Sequence, residues 1–342
     1  MKSKYLILIF IFLVFDRIHL FALIDLEENV QDFVLETKQI IISEHLDAFN
    51  PGIIRWNGTL LMSFREIPNP RLTFNSDLYL VWLDEDFNPM GVPQKLDNRD
   101  FSGVPSRAED ARLIEVEGHL FIVYSDNCDD KVTKGGFRVY IAELVFENDK
   151  FLMQNIECLS RFEGESNLLR EKNWSPFNYK GTLLLEYSLK PHRIFHPILG
   201  TGECETVAVS NSDIRWEWGE LRGGTPGLID GNQYLSFFHS SIDMPTIHSE
   251  GKVISHYFMG AYAFSLDPPF KITKVSPEPI MGKNFYNGAV PKPYWKPLRV
   301  VFPGGFVFDD QFIWVVYGRQ DRELWVVKLD KAGLLNSLVP VE

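Results

Sequence analysis

The chain is poor in cysteine, in basic charge and in helical pattern, and each shortage removes a class of protein. Only Cys128, Cys158 and Cys204 occur among 342 residues. None lie at metal-ligand spacing and an odd number cannot all pair, so a disulfide-built scaffold is excluded. One disulfide with one thiol, or three buried thiols, are both open. The 34 Lys+Arg set against 46 Asp+Glu give a net charge of -12. A phosphate backbone demands a basic face, so nucleic acid is not an expected partner. His239, His248 and His256 have no regular ligand spacing, and no metal is expected. No GxSxG element offers an acyl-transfer nucleophile. Beyond the N-terminal leader, only Leu23 to Val34 hints at a helical period.

Long hydrophobic runs are scarce too. Lys2 and Lys4 precede one apolar run, Tyr5 to Phe15, which Asp16 and Arg17 close. About 11 residues are too few to span a bilayer, and the layout is that of a signal peptide. A cut after Ala22 is expected. It makes residues 1–22 the signal peptide and 23–342 a single domain, secreted or periplasmic, with no stable membrane insertion. An uncleaved anchor or a buried N-terminal strand is the competing reading.

What the chain does have is aromatic strand sequence. Hydrophobic residues are 45% and aromatics 14% of the chain, enough for a large core. Five stretches repeat a Gly/Asp turn followed by an apolar strand with an aromatic end: Arg55 to Phe64, Glu115 to Tyr124, Tyr179 to Tyr187, Ile229 to Phe238 and Phe308 to Tyr317. Their starts lie roughly 50 to 80 residues apart, the length of one four-stranded propeller blade. Each is followed by a further strand signature, at Asp77 to Leu83, Phe137 to Phe146, Thr206 to Ser210, Gly260 to Leu266 and Glu323 to Leu329. The expected fold is all-β, a five-bladed β-propeller with the repeats as innermost strands. A shorter outer strand in each blade has no clear signature.

The strand entrances carry the chemistry. They read Phe49-Asn-Pro-Gly52, Ala108-Glu-Asp-Ala-Arg112, Glu171-Lys-Asn-Trp-Ser-Pro-Phe177, Arg222-Gly-Gly-Thr-Pro226 and Val301-Phe-Pro-Gly-Gly305. Gly and Pro there suit a crowded axis. Glu109, Asp110, Arg112 and Lys172 lie where strands converge, and charge buried there must be paired or used. Two adjacent carboxyls at such an axis predict a raised Asp110 pKa, with the two side chains on opposite strand faces. Simple pairing of Glu109 and Asp110 with Arg112 and Arg107 is the bland alternative.

Taken in order, these motifs resemble glycoside hydrolase family 130, the five-bladed mannoside phosphorylases and mannosidases. The likeness rests on Phe49-Asn50-Pro51 with Arg65, Glu109-Asp110-Ala111-Arg112, Lys172-Asn173 with Pro176-Phe177, Gly223-Gly224-Thr225-Pro226 with Phe238-His239-Ser240, and Val301-Phe302-Pro303-Gly304-Gly305 with Tyr317-Gly318-Arg319-Gln320-Asp321. It spans about residues 45 to 330. Ala111, Asn173, Ser240 and Gln320 depart from the family's usual Pro, Asp, Gly and small residue. The resemblance implies cleavage or transfer of β-mannosyl or related units with inversion, on an oligosaccharide or glycan. Asp110 is the implied general acid, its proton relayed through a sugar hydroxyl. Asn50, Arg65, Glu109 and Asp321 are the implied sugar ligands, with Trp174 or Tyr257 stacking on a ring. Lys172 and His239 match phosphate-binding positions, and Arg138 joins them by its place on the strand after the acid. No cofactor is implied; inorganic phosphate is a possible co-substrate. A hydrolase would instead need a carboxylate base, for which Glu186, Glu205 and Asp321 are available and no motif selects one. His192, Arg193 and His196 either bind an acceptor or line a solvated loop. A non-catalytic sugar-binding propeller and a protein-interaction scaffold are the alternatives to an enzyme.

Overall fold

A computed structural model of the chain describes residues 23–69, 71, 75–98, 106–127, 136–164, 170–288 and 296–342. The leader expected at 1–22 lies outside the described residues, as does Cys128. The repeated Gly/Asp turns are two-residue hairpin corners. Asn57-Gly58, Glu117-Gly118 and Lys180-Gly181 all have positive φ at both positions. That conformation matches the right-handed twist of the strands on either side and favours Asn or Gly. The turns join Phe49–Trp56 to Thr59–Glu66, Glu109–Val116 to His119–Asn127 and Ser175–Tyr179 to Thr182–Leu189.

Among the described residues the strands form five sheets, met in chain order. The first holds Phe49–Trp56, Thr59–Glu66, Asp77–Leu83 and Pro89–Lys95. The second holds Glu109–Val116, His119–Asn127, Phe137–Glu147 and Lys150–Leu159. The third is built on Ser175–Tyr179, Thr182–Leu189, His192–Ile198 and Glu203–Ser210. The fourth centres on the long pair Gln233–Met244 and Ile254–Ser265. The fifth is Val301–Asp309, Phe312–Arg319 and Glu323–Asp330, with Val34–Ile40 from the other end of the chain as its outer strand. That last strand runs antiparallel to Glu323–Asp330, so the first strand closes the fifth sheet, while Val339–Pro340 pairs with Ile272–Val275 in the fourth.

The cores lie between sheets. Leu61, Leu80, Leu113 and Ile122 pack between the first and second. Val123, Ile141, Leu185 and Phe195 pack between the second and third. Phe177, Leu184, Tyr234 and Phe264 follow, then Phe237, Ala261, Val315 and Val327. Ile53, Met62, Val316 and Val326 bring the fifth sheet back to the first. The arrangement is all-β and propeller-like.

Three expectations change. The strands that meet one another are those ahead of each repeat, so the repeats supply the turn and the second strand. A Cβ on Gly52 would stand 2.3 Å from the Ala111 carbonyl oxygen, and one on Gly304 2.1 Å from that of Pro51. Such backbone approach leaves no room for any side chain, and that is why glycine stands at these two positions. In the third sheet His192–Ile198 is the third strand and Thr206 to Ser210 belongs to the fourth. Leu23 to Val34 is not helical. The one α-helix among the described residues, Lys331–Ser337, is capped by Asp330, whose carboxylate accepts from Gly333 N at 2.6 Å.

Gly304→Ala should lower stability by about 1–3 kcal/mol, the range for forcing a methyl into a closed space. A melting-temperature comparison checks this, and an unchanged value contradicts the close approach.

Candidate active site

Three inner strands are bulged at the axis. Register shifts fall between Phe49 and Gly52, between Glu109 and Arg112 and between Pro303 and Gly305. Asn50 and Asp110 sit inside the first two bulges with φ of 49° and 56°, and Asn173 at the third sheet's entrance has φ of 64°. A bulge re-aims a side chain and breaks the two-residue alternation. Glu109 and Asp110 are therefore not on opposite faces, as alternation predicts. Both carboxylates face Arg65, whose Nη1 donates to Asp110 at 3.2 Å and Nη2 to Glu109 at 3.2 Å.

The rest of the set closes around them. Asn50 Nδ2 donates to Asp110 Oδ1 at 2.8 Å. The Lys172 ammonium bonds the other Glu109 oxygen and lies over the Phe137 ring, 3.6 Å from its centroid. Arg65 lies over Phe49. Asp110 and Arg65 are buried, while Glu109 and Lys172 keep some exposure. Burial alone would raise the Asp110 carboxyl, but Arg65, the Asn50 amide, Lys172 and Arg112 together hold it below the usual range. The raised pKa expected from the sequence does not hold, because the sequence could not show how many cations face this carboxyl.

Arg112 does not pair with the carboxylates. Its fully buried guanidinium donates from Nη1 to the Asp110 carbonyl at 2.7 Å and from Nε to the Gly224 carbonyl at 2.6 Å. Nη2 reaches Gly223 O at 3.3 Å and Asn173 Oδ1 at 3.4 Å. Burial pulls this group down to about 10.

His239 stands on the fourth sheet with its ring centroid 4.6 Å from Phe302 and 6.0 Å from Tyr257. Burial first, then Arg112 and Arg222, pushes it down to about 3. It is a neutral imidazole, not a cation, and its buried Nδ1 has no hydrogen-bond partner. Asp321, at a φ of 49° beyond the Phe312–Arg319 strand, is near enough for its charge to act on Arg65 and on Tyr257. Arg138 is buried further along the second sheet, opposite Asp126 in register, and donates to the Phe137 carbonyl at 3.1 Å.

The structure thus brings Asn50, Arg65, Glu109, Asp110 and Lys172 into one bonded set, with His239 and Asp321 beside it. Trp174 does not stack on a sugar ring: it is buried among Phe162, Tyr187 and Phe195, at 5.2–5.4 Å. Glu186 is withdrawn as a base for the same reason. Its Oε2 accepts from Tyr262 OH at 2.6 Å and lies 2.7 Å from His192 Nε2, all three side chains being buried. His192 is therefore neither an acceptor ligand nor part of a solvated loop. Glu205 is exposed on the third sheet's outer strand. Asp126 was not foreseen. It accepts from Asn98, Ser106 and two backbone amides, yet burial raises it to about 6. Its only sequence signal is a carboxylate at a strand end among Ser and Asn. Among the described residues no cluster of His, Cys, Asp and Glu is placed to hold a metal ion.

No family model and no curated protein sequence matches the chain. Solved structures do. The mannose phosphorylase MPT-4 of Leishmania mexicana, in complex with phosphate ion, is 15% identical with a TM-score of 0.58, covering 90% of this chain and 92% of its own. A β-1,2-mannobiose phosphorylase from Listeria innocua, bound to β-1,2-mannobiose, gives 15% and 0.56 over 91% and 94%. A glycosyl hydrolase from Bacteroides ovatus gives 14% and 0.56 over 84% and 85%. This is a shared fold along nearly the whole chain: the class is that of the propeller-like proteins to which those glycoside-active enzymes belong by architecture.

The neutral imidazole has a pH signature. Below about 6.5 the unfolded chain protonates this histidine while the folded chain does not, so stability is full above that pH and falls as pH drops towards 3. NMR should show the His239 ring untitrated from pH 8 to 5, and His239→Gln should flatten that part of the stability curve. A His239 midpoint near 6.5 contradicts the burial argument.

Proposed function

We propose that the chain is a divergent member of glycoside hydrolase family 130, folded over residues 23–342 as a five-bladed propeller and exported behind a cleaved leader. It cleaves or transfers β-mannosyl or related glycosyl units with inversion. The observation that carries this reading is the bonded set of Asn50, Arg65, Glu109, Asp110 and Lys172, drawn from three sheets to one end of the axis. Charge assembled at a crowded axis is costly unless it is used. The fold shared with mannose and mannobiose phosphorylases supports the same reading.

In this mechanism Asp110 is the general acid. The glycosidic C–O bond breaks, its electron pair goes to the leaving oxygen, and that oxygen takes the Asp110 proton through a sugar hydroxyl. An oxygen of inorganic phosphate forms the new bond to the anomeric carbon from the opposite face. The products are a glycosyl phosphate and the shortened sugar, and the proton that the phosphate gives up on forming its new bond replaces, through solvent, the one Asp110 donated. Lys172 and Arg138 hold the phosphate, whose remaining O–H donates to the unpartnered Nδ1 of the neutral His239, while Asn50, Arg65, Glu109 and Asp321 hold hydroxyls.

Against burial, Arg65, the Asn50 amide, Lys172 and Arg112 keep Asp110 ionised, so the acid must be loaded by the substrates. Phosphate draws on Lys172 and sugar hydroxyls draw on Arg65. Both weaken their hold on the carboxylate, and burial, the largest influence on this group, then favours the protonated form. Binding is therefore accompanied by proton uptake.

The purified protein incubated with manno-oligosaccharides and phosphate should release mannose 1-phosphate. Free mannose formed regardless of phosphate would keep the glycosidase reading and remove the phosphate pocket. Asp110→Asn should cut turnover by about 10²–10⁴-fold, the usual share of a positioned general acid, while the protein stays folded and binds sugar. An active Asp110→Asn protein with a lowered melting temperature makes Asp110 a structural ion-pair partner instead.

A further inference from the structure

Residues Ile24 to Gln31 have no regular structure, yet they are bonded closely to the fourth sheet. Ile24 bridges to Thr246. Leu26 N donates to His248 Nε2 at 3.2 Å, and His248 Nδ1 is 3.0 Å from Asn287 Oδ1. The Glu27 carboxylate accepts four hydrogen bonds from one short loop: Asn284 N at 2.9 Å, Tyr286 N at 2.7 Å, Asn287 N at 2.9 Å and Asn287 Nδ2 at 2.7 Å. Gln31 grips the same loop twice, donating to Pro279 O at 2.8 Å and accepting from Met281 N at 2.7 Å. Residues 279 to 288 form no strand; Ile280, Met281, Phe285 and Tyr286 pack into the core, and besides the bridge of Ile280 to Met259 the side-chain ties to Glu27 and Gln31 fix the backbone between them.

The loop leads to the site. Tyr286 is fully buried, and its hydroxyl donates to the Tyr257 carbonyl at 2.9 Å. The Tyr257 ring lies within 11° of parallel to His239, and the charges of Asp321 and Asp110 act on its hydroxyl. From the other side Arg319 Nη1 donates to the Asn284 carbonyl at 2.6 Å. A charged carboxylate bonded to consecutive amides fixes a loop far more firmly than neutral contacts do.

We infer that this N-terminal strap is part of the functional site, and that Glu27 is a positioning residue. Through the loop at 284–287 and Tyr286 it fixes Tyr257 as the wall against which the substrate ring packs. The ring-packing half of this statement rests on the glycosyl reading above; the mechanical half does not. A chain trimmed through Ala22 keeps the strap, whereas one trimmed through Gln31 loses it.

Amide hydrogen exchange on the full chain tests the mechanical half. Glu27→Ala should raise exchange at least tenfold at 284–287 and at Tyr257 while the first and second sheets keep their protection. Glu27→Gln, which keeps the shape but loses an acceptor, should fall between and serves if Glu27→Ala does not fold. Unchanged protection at Tyr257 overturns the inference. Kinetics with β-mannobiose and phosphate test the other half: KM should rise several-fold, by more than kcat falls. Loosened exchange with an unchanged KM overturns the role of Tyr257 as the wall. A native protein that neither binds nor cleaves mannosides removes the glycosyl reading, and the exchange result still decides whether Glu27 holds the loop.

Discussion

Everything at the axis depends on one buried guanidinium. Arg112 reaches from the second sheet to the carbonyls of Gly223 and Gly224 at the fourth and to Asn173 at the third, and it bonds its own strand at Asp110. Strand entrances that converge leave carbonyls with no ladder partner, and a buried carbonyl left unpaired costs about 1–3 kcal/mol. A planar fork of five donors meets several of them at once. The charge that comes with it is costly in a dry interior, and its pull down to about 10 is the mark of that cost. The same charge then acts on the chemistry: it helps hold Asp110 ionised and His239 neutral.

The site follows from strand geometry. Bulges at Asn50 and Asp110 turn side chains towards the axis that regular strands would send to alternate faces. Aromatic rings then fix the cations, Phe49 under Arg65 and Phe137 under Lys172. Arg65, Glu109, Asp110 and Lys172 partner one another. The set is therefore satisfied as it stands, and on the function proposed above a ligand must rearrange this pairing before Asp110 can give a proton.

Much of this was legible in the sequence, and the failures have physical causes. The turns at Asn57-Gly58, Glu117-Gly118 and Lys180-Gly181 and the aromatic strands are local features, and they gave the repeat and the all-β class. Gly52 and Gly304 marked the crowded axis correctly. What local pattern could not give was which strand of each repeat faces inward, because both are equally apolar. Nor could it give the bulge that puts Glu109 and Asp110 on one side, since a bulge is a matter of register with a partner strand. Trp174 and Glu186 were misjudged because residue type reveals polarity but not enclosure. Glu27 carried no signal at all: its partners lie more than 250 positions away.

We propose that this axis end binds a glycosyl unit between Asp110 and the cations around it. The most direct measurement is a crystal structure of Asp110→Asn protein with β-mannobiose and phosphate. The account predicts the glycosidic oxygen within hydrogen-bond reach of residue 110 directly or through one sugar hydroxyl, with phosphate against Lys172 and His239. Sugar bound elsewhere on the molecule, or an axis end that stays empty at saturating ligand, would contradict it.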